Sequence, residues 1–336
     1  MRYKLLLAII FPSSAAFWLN SNPILNLNAF SVDHRICEDL PRNFSIPSKS
    51  SVLDLTTDYL PLSVISPPEH RCVVNNQVMK AFRYPQQIPP KGFVRLKQDL
   101  YIASPELTFL QAASYLSVEQ LILLGTELCG IYCYDDHMPL GQRTRIPAST
   151  KESIMSFLRF AGGCRGYRKA LRAASYIVNN SNSRMESVLA NYAVLSAFMG
   201  GFALKPPEMN GRAQFTEEGN AIMRGRACYV DMLWQEERVA CEYDSDSSHL
   251  TSAQHYKDKQ RYTALSVSGY KVISITKRNV SSVFQLDQIF RTIRKALGMR
   301  SIDSSLEKYI EQRKQLFEMF QRFRSNDPST YPMLKK

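Results

Sequence analysis

Asp231, Glu242 and Asp244 lie within YVDMLWQEERVACEYDSDSSH, residues 229–249. Two apolar runs, CYVDMLW and RVACEYD, flank the polar turn QEE. That pattern predicts a β-hairpin. Strand side chains alternate with period two, so Val239, Cys241 and Tyr243 share one face, and Ala240, Glu242 and Asp244 the other. Glu242 and Asp244 then project together, and Asp231 on the partner strand is within reach across the hairpin. Carboxylates crowded on an apolar strand repel one another and lose hydration unless something compensates. A hard divalent cation, Mg²⁺ or Mn²⁺, is one compensation, since oxygen ligands suit it. A solvated sheet face on which the acids pair with Lys or Arg is the other, and spacing does not choose between them.

The elements that must position these groups are read from the rest of the chain. The 336 residues carry a formal charge of +12, with 45% hydrophobic and 21% charged residues. That composition is globular and leaves room for more than one domain. The basic excess favours a polyanionic partner, with DNA first. From Arg291 onward there are eleven Lys/Arg against five Asp/Glu. The seven cysteines are scattered, with neither a CxxC pair nor a Cys/His zinc spacing, which suits a reducing cytoplasm. No run reaches the roughly 18 apolar residues of a membrane span. The short run LLLAIIF near the N-terminus reads as a buried strand in preference to a secretory signal.

Residues 1–180 read as a mixed β/helical region, rich in Pro and turns at first. Helices are predicted after Ser104-Pro105-Glu106, after Ser117 and from Thr150. The loop 129–147 holds Asp135, Asp136 and His137, more simply a solvated turn than a metal site. A basic helix closes the region. Its Arg165, Arg168, Lys169 and Arg172 fall at helical spacing and suit DNA phosphates, or else form a solvated face. The polar linker NNSNS, 179–183, marks a boundary. Beyond it, Ser183 caps a helix with Glu186 three residues on, a capping-box spacing. Then follow a strand near Gln214, the hairpin, a helix over 251–268, the strand YKVISIT and a helix over 280–297. Residues 301–336 are set apart as a basic helix and polar tail. The fold class is α/β (α+β), with a central mixed sheet flanked by helices in the C-terminal domain and a smaller mixed domain before it.

The ordered set S-R-M-E-S, G-G, P-P-E-M-N, V-D-M-L-W, C-E-Y-D-S-D-S-S-H, D-K-Q-R, G-Y-K-V and I-T, from Ser183 to Lys277, resembles the DUF559-type branch of the very-short-patch-repair-like endonucleases. These belong to the PD-(D/E)xK, restriction-endonuclease-like superfamily. The upstream runs SPELTFLQAASYL and ELCGIY resemble, more weakly, proteins related to AbiEi-type antitoxins. The first resemblance implies a restriction-endonuclease-like domain over 183–300 and Mg²⁺-dependent DNA cleavage. In it Asp231, Glu242 and Asp244 correspond to the metal-binding acids, and Glu186 to the acid on the helix against the sheet. His249 corresponds to a group that activates water or contacts phosphate, and Asp258 and Arg261 to the D-x-x-R of the next helix. The second implies a toxin–antitoxin or defence-system partner. Two positions depart from the pattern: Asp244 stands where the superfamily has Lys, and Ser245, followed by Asp246, replaces a Gly. Both leave open a degenerate protein that binds DNA without cutting it.

Overall fold

The computed structural model describes residues 4–5, 37–39, 44–45, 62–66, 77, 79–83, 88–97, 100–134, 142–244, 252–301 and 307–324. The chain is α/β and divides into two units, one running to Ile177 and the other from Val178 to Ser325.

The first unit contains short paired strands. β1 (Lys4–Leu5) lies parallel to β3 (Phe44–Ser45), and β2 (Cys37–Glu38) borders the hairpin of β6 (Phe93–Lys97) and β7 (Leu100–Ala103). β4 (Leu62–Ser66) pairs in parallel with β5 (Met79–Arg83), and β8 (Tyr132–Tyr134) pairs with β9 (Gln142–Thr144). The run GFVRLKQDLYIA forms the two strands of this β6–β7 hairpin. Of LLLAIIF only Leu5 falls among the described residues, and Asp135, Asp136 and His137 lie outside them.

Four helices follow, and the first three start where their caps predict. Ser104 accepts the Leu107 N–H at the start of α1 (Pro105–Ala112). Ser117 and Gln120 form a reciprocal capping box at α2 (Val118–Leu128). Thr150 caps α3 (Lys151–Leu158). α4 (Tyr167–Ala174) starts at Gly166 without a side-chain cap. A Cβ on Gly166, whose φ is +84°, would lie 2.9 Å from the Ala113 carbonyl carbon, so only glycine lets α4 pack here.

The second unit is organised on one four-stranded mixed sheet, in the order β10 (Glu208–Arg212), β11 (Tyr229–Trp234), β12 (Val239–Asp244), β13 (Lys271–Thr276). The first three strands are antiparallel neighbours, and β13 runs parallel to β12. The predicted hairpin is β11–β12. The strand expected near Gln214 is β10, slightly earlier in the chain. Ser183 caps α5 (Arg184–Val194), which stops at Val194 because Leu195 is extended. α6 (Glu217–Met223), which has no counterpart among the predicted elements, precedes β11. α7 (Ser252–Val267) makes the crossover between the parallel strands. Ala213, Met223, Cys228, Val230, Leu233, Ala240, Ala264, Leu265 and Tyr270 form the core between this sheet and α6 and α7. An aromatic layer joins α5 to α8 (Val283–Ala296) and α9 (Glu307–Arg324). Within it Tyr192 meets Phe320 edge-on at 4.7 Å and Phe202 stacks on Phe290 at 4.7 Å.

Of residues 301–336, α9 is built into the second unit. Its buried Arg313 donates to the Gly200 and Gly201 carbonyls, both at 3.2 Å, pairs with Asp287 and lies over Phe202. A Cβ on Gly200 would come 2.6 Å from the Gln312 carbonyl oxygen. The Gly200-Gly201 pair is the seat of the C-terminal helix. Among the described residues no helix is long and apolar enough to cross a membrane.

Candidate active site

The hairpin register decides which acids meet. Met232 pairs with Cys241, Leu233 with Ala240 and Trp234 with Val239. The same register carried one step further sets Asp231 opposite Glu242. There the ladder opens, and the Tyr243 N–H donates instead to Asp231 Oδ2 at 2.7 Å. On the other side of β11, Met209 pairs with Met232 and Gly211 with Val230, which leaves Asn210 beside Asp231. Asn210 has φ +51°, a backbone state that Asn tolerates better than most residues. In β13, Ser274 is the partner of Glu242. One row across the sheet thus reads Asn210, Asp231, Glu242, Ser274.

α5 delivers Glu186 to the end of this row. The Ser183 hydroxyl accepts the Glu186 N–H at 3.1 Å and donates back to Oε1 at 3.0 Å. Oε2 accepts the Asn182 N–H and the Asn210 amide, both at 2.8 Å. Asn210 also donates to the Asn180 carbonyl at 2.9 Å. The capping spacing is real, but here the cap leads a buried carboxylate to the sheet.

α7 supplies the counter-charge. Arg261 donates to Glu242 Oε1 at 2.6 Å and to the Tyr229 carbonyl at 2.8 Å, and it hydrogen-bonds with the buried Cys228. Asp258 adds its own negative charge to the field at Glu242.

The electrostatics follow from burial and from three acids sharing little room. Burial raises the Glu186 carboxyl to about 7, helped by Asp231 and opposed by its three hydrogen bonds. Burial raises Asp231, opposed by the Tyr243 N–H and Arg261. Burial raises Glu242 to about 7; Arg261 opposes this, and Asp231, Glu186 and Asp258 reinforce it. One guanidinium does not neutralise the group, so it favours any added positive charge.

Asp231, Glu242, Glu186 and Arg261 are brought together. Asp244 is not: it sits exposed at the last position of β12, and the charges acting on Glu242 come from other residues. His249 lies outside the described residues, as do Ser245 and Asp246. Asn210 and Ser274 join the site without a sequence signal of their own. Asn210 stands in the P-P-E-M-N run, but only the register shows what it does.

The donors present suit one kind of cation. Among the described residues, Oδ1 of Asp231 and Oε2 of Glu242 accept no hydrogen bond, while Glu186 has both oxygens engaged. Two free carboxylate oxygens from facing strand positions fit a hard divalent ion that keeps part of its water shell. No group of three or more His, Cys, Asp or Glu is arranged around a common point among the described residues. The fit is therefore to a two-carboxylate site with Glu186 behind it, not to an all-protein cage.

In the first unit Arg165, Arg168 and Arg172 are exposed, whereas Lys169 donates to the Leu116 carbonyl at 2.8 Å and ties α4 to the turn between α1 and α2. Lys169 is a structural strut and leaves the predicted phosphate set. Between Glu152 and Glu186 the sequence has no acidic residue.

Compared with protein-family models, with curated proteins and with solved structures, the chain finds no match.

Proposed function

We propose that the second unit hydrolyses phosphodiester bonds of DNA with Mg²⁺ or Mn²⁺ held by Asp231 and Glu242, in the manner of the restriction-endonuclease-like enzymes that the sequence resembles. The observation that carries this reading is the facing pair Asp231 and Glu242 at the point where the β11–β12 ladder opens, with Glu186 close behind. A strand–strand–helix–strand order with the acids at an opened ladder supports it too.

A divalent cation, when bound, polarises a phosphoryl oxygen and lowers the pKa of a water. The chain's own groups do the rest. The Tyr243 N–H fixes one oxygen of Asp231 and leaves the other free. Glu186 acts by position: its charge makes ionised Asp231 and Glu242 costly unless a cation is present. Arg261, already aimed at Glu242, can exchange that carboxylate for a phosphate oxygen. His249 is the candidate proton acceptor for that water. Arg165, Arg168 and Arg172 of the first unit offer additional phosphate contacts.

A second reading, a protein that binds DNA without cutting it, is favoured by one feature: Arg261 occupies an oxygen of Glu242. The experiment is plasmid incubation with Mg²⁺ or Mn²⁺ beside an Asp231→Ala/Glu242→Ala control. Nicking or linearisation by the wild type alone supports the enzyme. Binding by both proteins with cleavage by neither supports the second reading. The free cysteines of the described residues fit a cytoplasmic setting. A toxin–antitoxin or defence-system partner belongs to the same proposal, with co-purification as its test.

A further inference from the structure

Beside the acidic row lies a surface of opposite character. The turn from α6 into β11 carries Arg224, Arg226 and Tyr229, all exposed, and the stretch from Asn220 to Val230 has no acidic residue. Arg212, also exposed, pairs with Tyr229 across the β10–β11 ladder. On α7 the neighbouring ridge carries Tyr256 and Gln260, one turn apart.

These groups are held in place. Arg226 Nε donates to the Met223 carbonyl at 3.1 Å, and one Nη donates to Gln260 Oε1 at 3.0 Å. Gln260 Nε2 in turn donates to the Tyr256 hydroxyl at 3.3 Å. The guanidinium is thus fixed by two bonds, with donors to spare. Tyr229 is 57% exposed and Tyr256 60% exposed, large apolar faces that make no aromatic contact among the described residues. A single exposed tyrosine needs no explanation. Two of them around an immobilised arginine are a different matter. The patch is also tied to the acidic row, since Arg261 bridges the Tyr229 carbonyl and Glu242.

We propose that Arg226, Tyr229 and Tyr256 form a docking platform for an unpaired DNA strand leading into the Asp231–Glu242 site. The proposal rests on the nuclease reading and adds to it a strand type and a binding surface. Charge complementarity selects a polyanion: the patch is cationic, and the adjoining acids accept phosphate only with a cation present. The tyrosines select among polyanions. In a duplex the base faces are stacked on one another, whereas an unpaired strand can lay its bases on exposed aromatic rings. Arg226 takes a phosphate between them.

The test measures binding of the full-length protein in EDTA, so that cleavage does not intervene. The probes are a fluorescent oligothymidine and a duplex of equal length. Tyr229→Ala and Tyr256→Ala should each weaken oligothymidine binding about tenfold, within the range of lost base stacking, and weaken duplex binding much less. Arg226→Ala should weaken both and flatten the salt dependence by the share of about one phosphate. Tyr262→Ala, equally exposed but on another face of α7, is the control and should bind as wild type. Circular dichroism checks that each variant is folded. If the two tyrosine variants bind oligothymidine as wild type does, the platform is refuted, and the nuclease reading stands or falls on the plasmid assay alone. If they weaken duplex and single strand equally, the choice of an unpaired strand is refuted. If the wild type binds neither probe, the platform is refuted, and the nuclease reading again rests on the plasmid assay with Mg²⁺ or Mn²⁺.

Discussion

Replacing Glu242 by Gln should make the protein more stable at alkaline pH, relative to wild type, while removing an ion pair. The folded state holds the Glu242 carboxyl up to about 7, against 4.5 for an ordinary Glu. Its pKa is raised on folding, so the folded chain binds the proton more tightly than the unfolded one. The contribution of this group to stability is then full below about pH 4.5, declines as pH rises towards 7, and is lost above that. A tenfold difference in proton affinity between the two states corresponds to about 1.4 kcal/mol. The side chain is 26% exposed, which reduces the effect, and Gln also loses the charged partner of Arg261. A relative gain on the order of 1–2 kcal/mol for Glu242→Gln between acid and alkaline pH remains. The assay is urea unfolding of both full-length proteins near pH 5 and near pH 8, following the transition of the second unit. The difference between variant and wild type should shift in favour of the variant at the higher pH. Parallel behaviour at the two pH values would mean that the carboxylate crowding is not a real strain, and the argument for a cation would go with it.

The same crowding predicts that Mg²⁺ stabilises the wild type. At ten times its dissociation constant the gain is about 1.4 kcal/mol, and Asp231→Asn should abolish it in a melting experiment. Asn210→Ala should cost about 2–3 kcal/mol, from two lost hydrogen bonds and a left-handed backbone. Asn210→Gly keeps the backbone and should cost less; equal losses in denaturation would show that the φ value carries no strain. Arg313→Met should destabilise by about 2–4 kcal/mol, because Asp287 and two glycine carbonyls lose their donor. Arg313→Lys should rescue little of this, since a single ammonium does not reproduce the forked contacts. Gly200→Ala, which collides with the Gln312 carbonyl, should release α9 and raise its proteolytic sensitivity.

Local signals in the sequence are dependable where the cause is local. The caps at Ser104, Ser117, Thr150, Ser183 and Ser282 set helix starts because a side-chain oxygen and a free N–H lie within four residues of each other. Arg238, with φ +53°, closes the β11–β12 turn that the polar QEE run announces. α6 is hard to read from sequence because seven residues containing Gly and Asn have a weak helical period. Alternation groups Asp244 with Glu242, but it sets the face and not the distance along it. The strand end carries Asp244 out to solvent.

The sequence by itself determined the α/β class, the hairpin and the face on which Glu242 projects, because period-two alternation and turn composition are properties of contiguous residues. The tertiary structure alone decided that Asp231 faces Glu242, that Asn210 braces Glu186, and that Arg261 crosses from its helix to Glu242 on the sheet. Strand register and helix docking are set by packing over the whole second unit. A one-residue slip would have turned Asp231 to the other face, with the sequence unchanged.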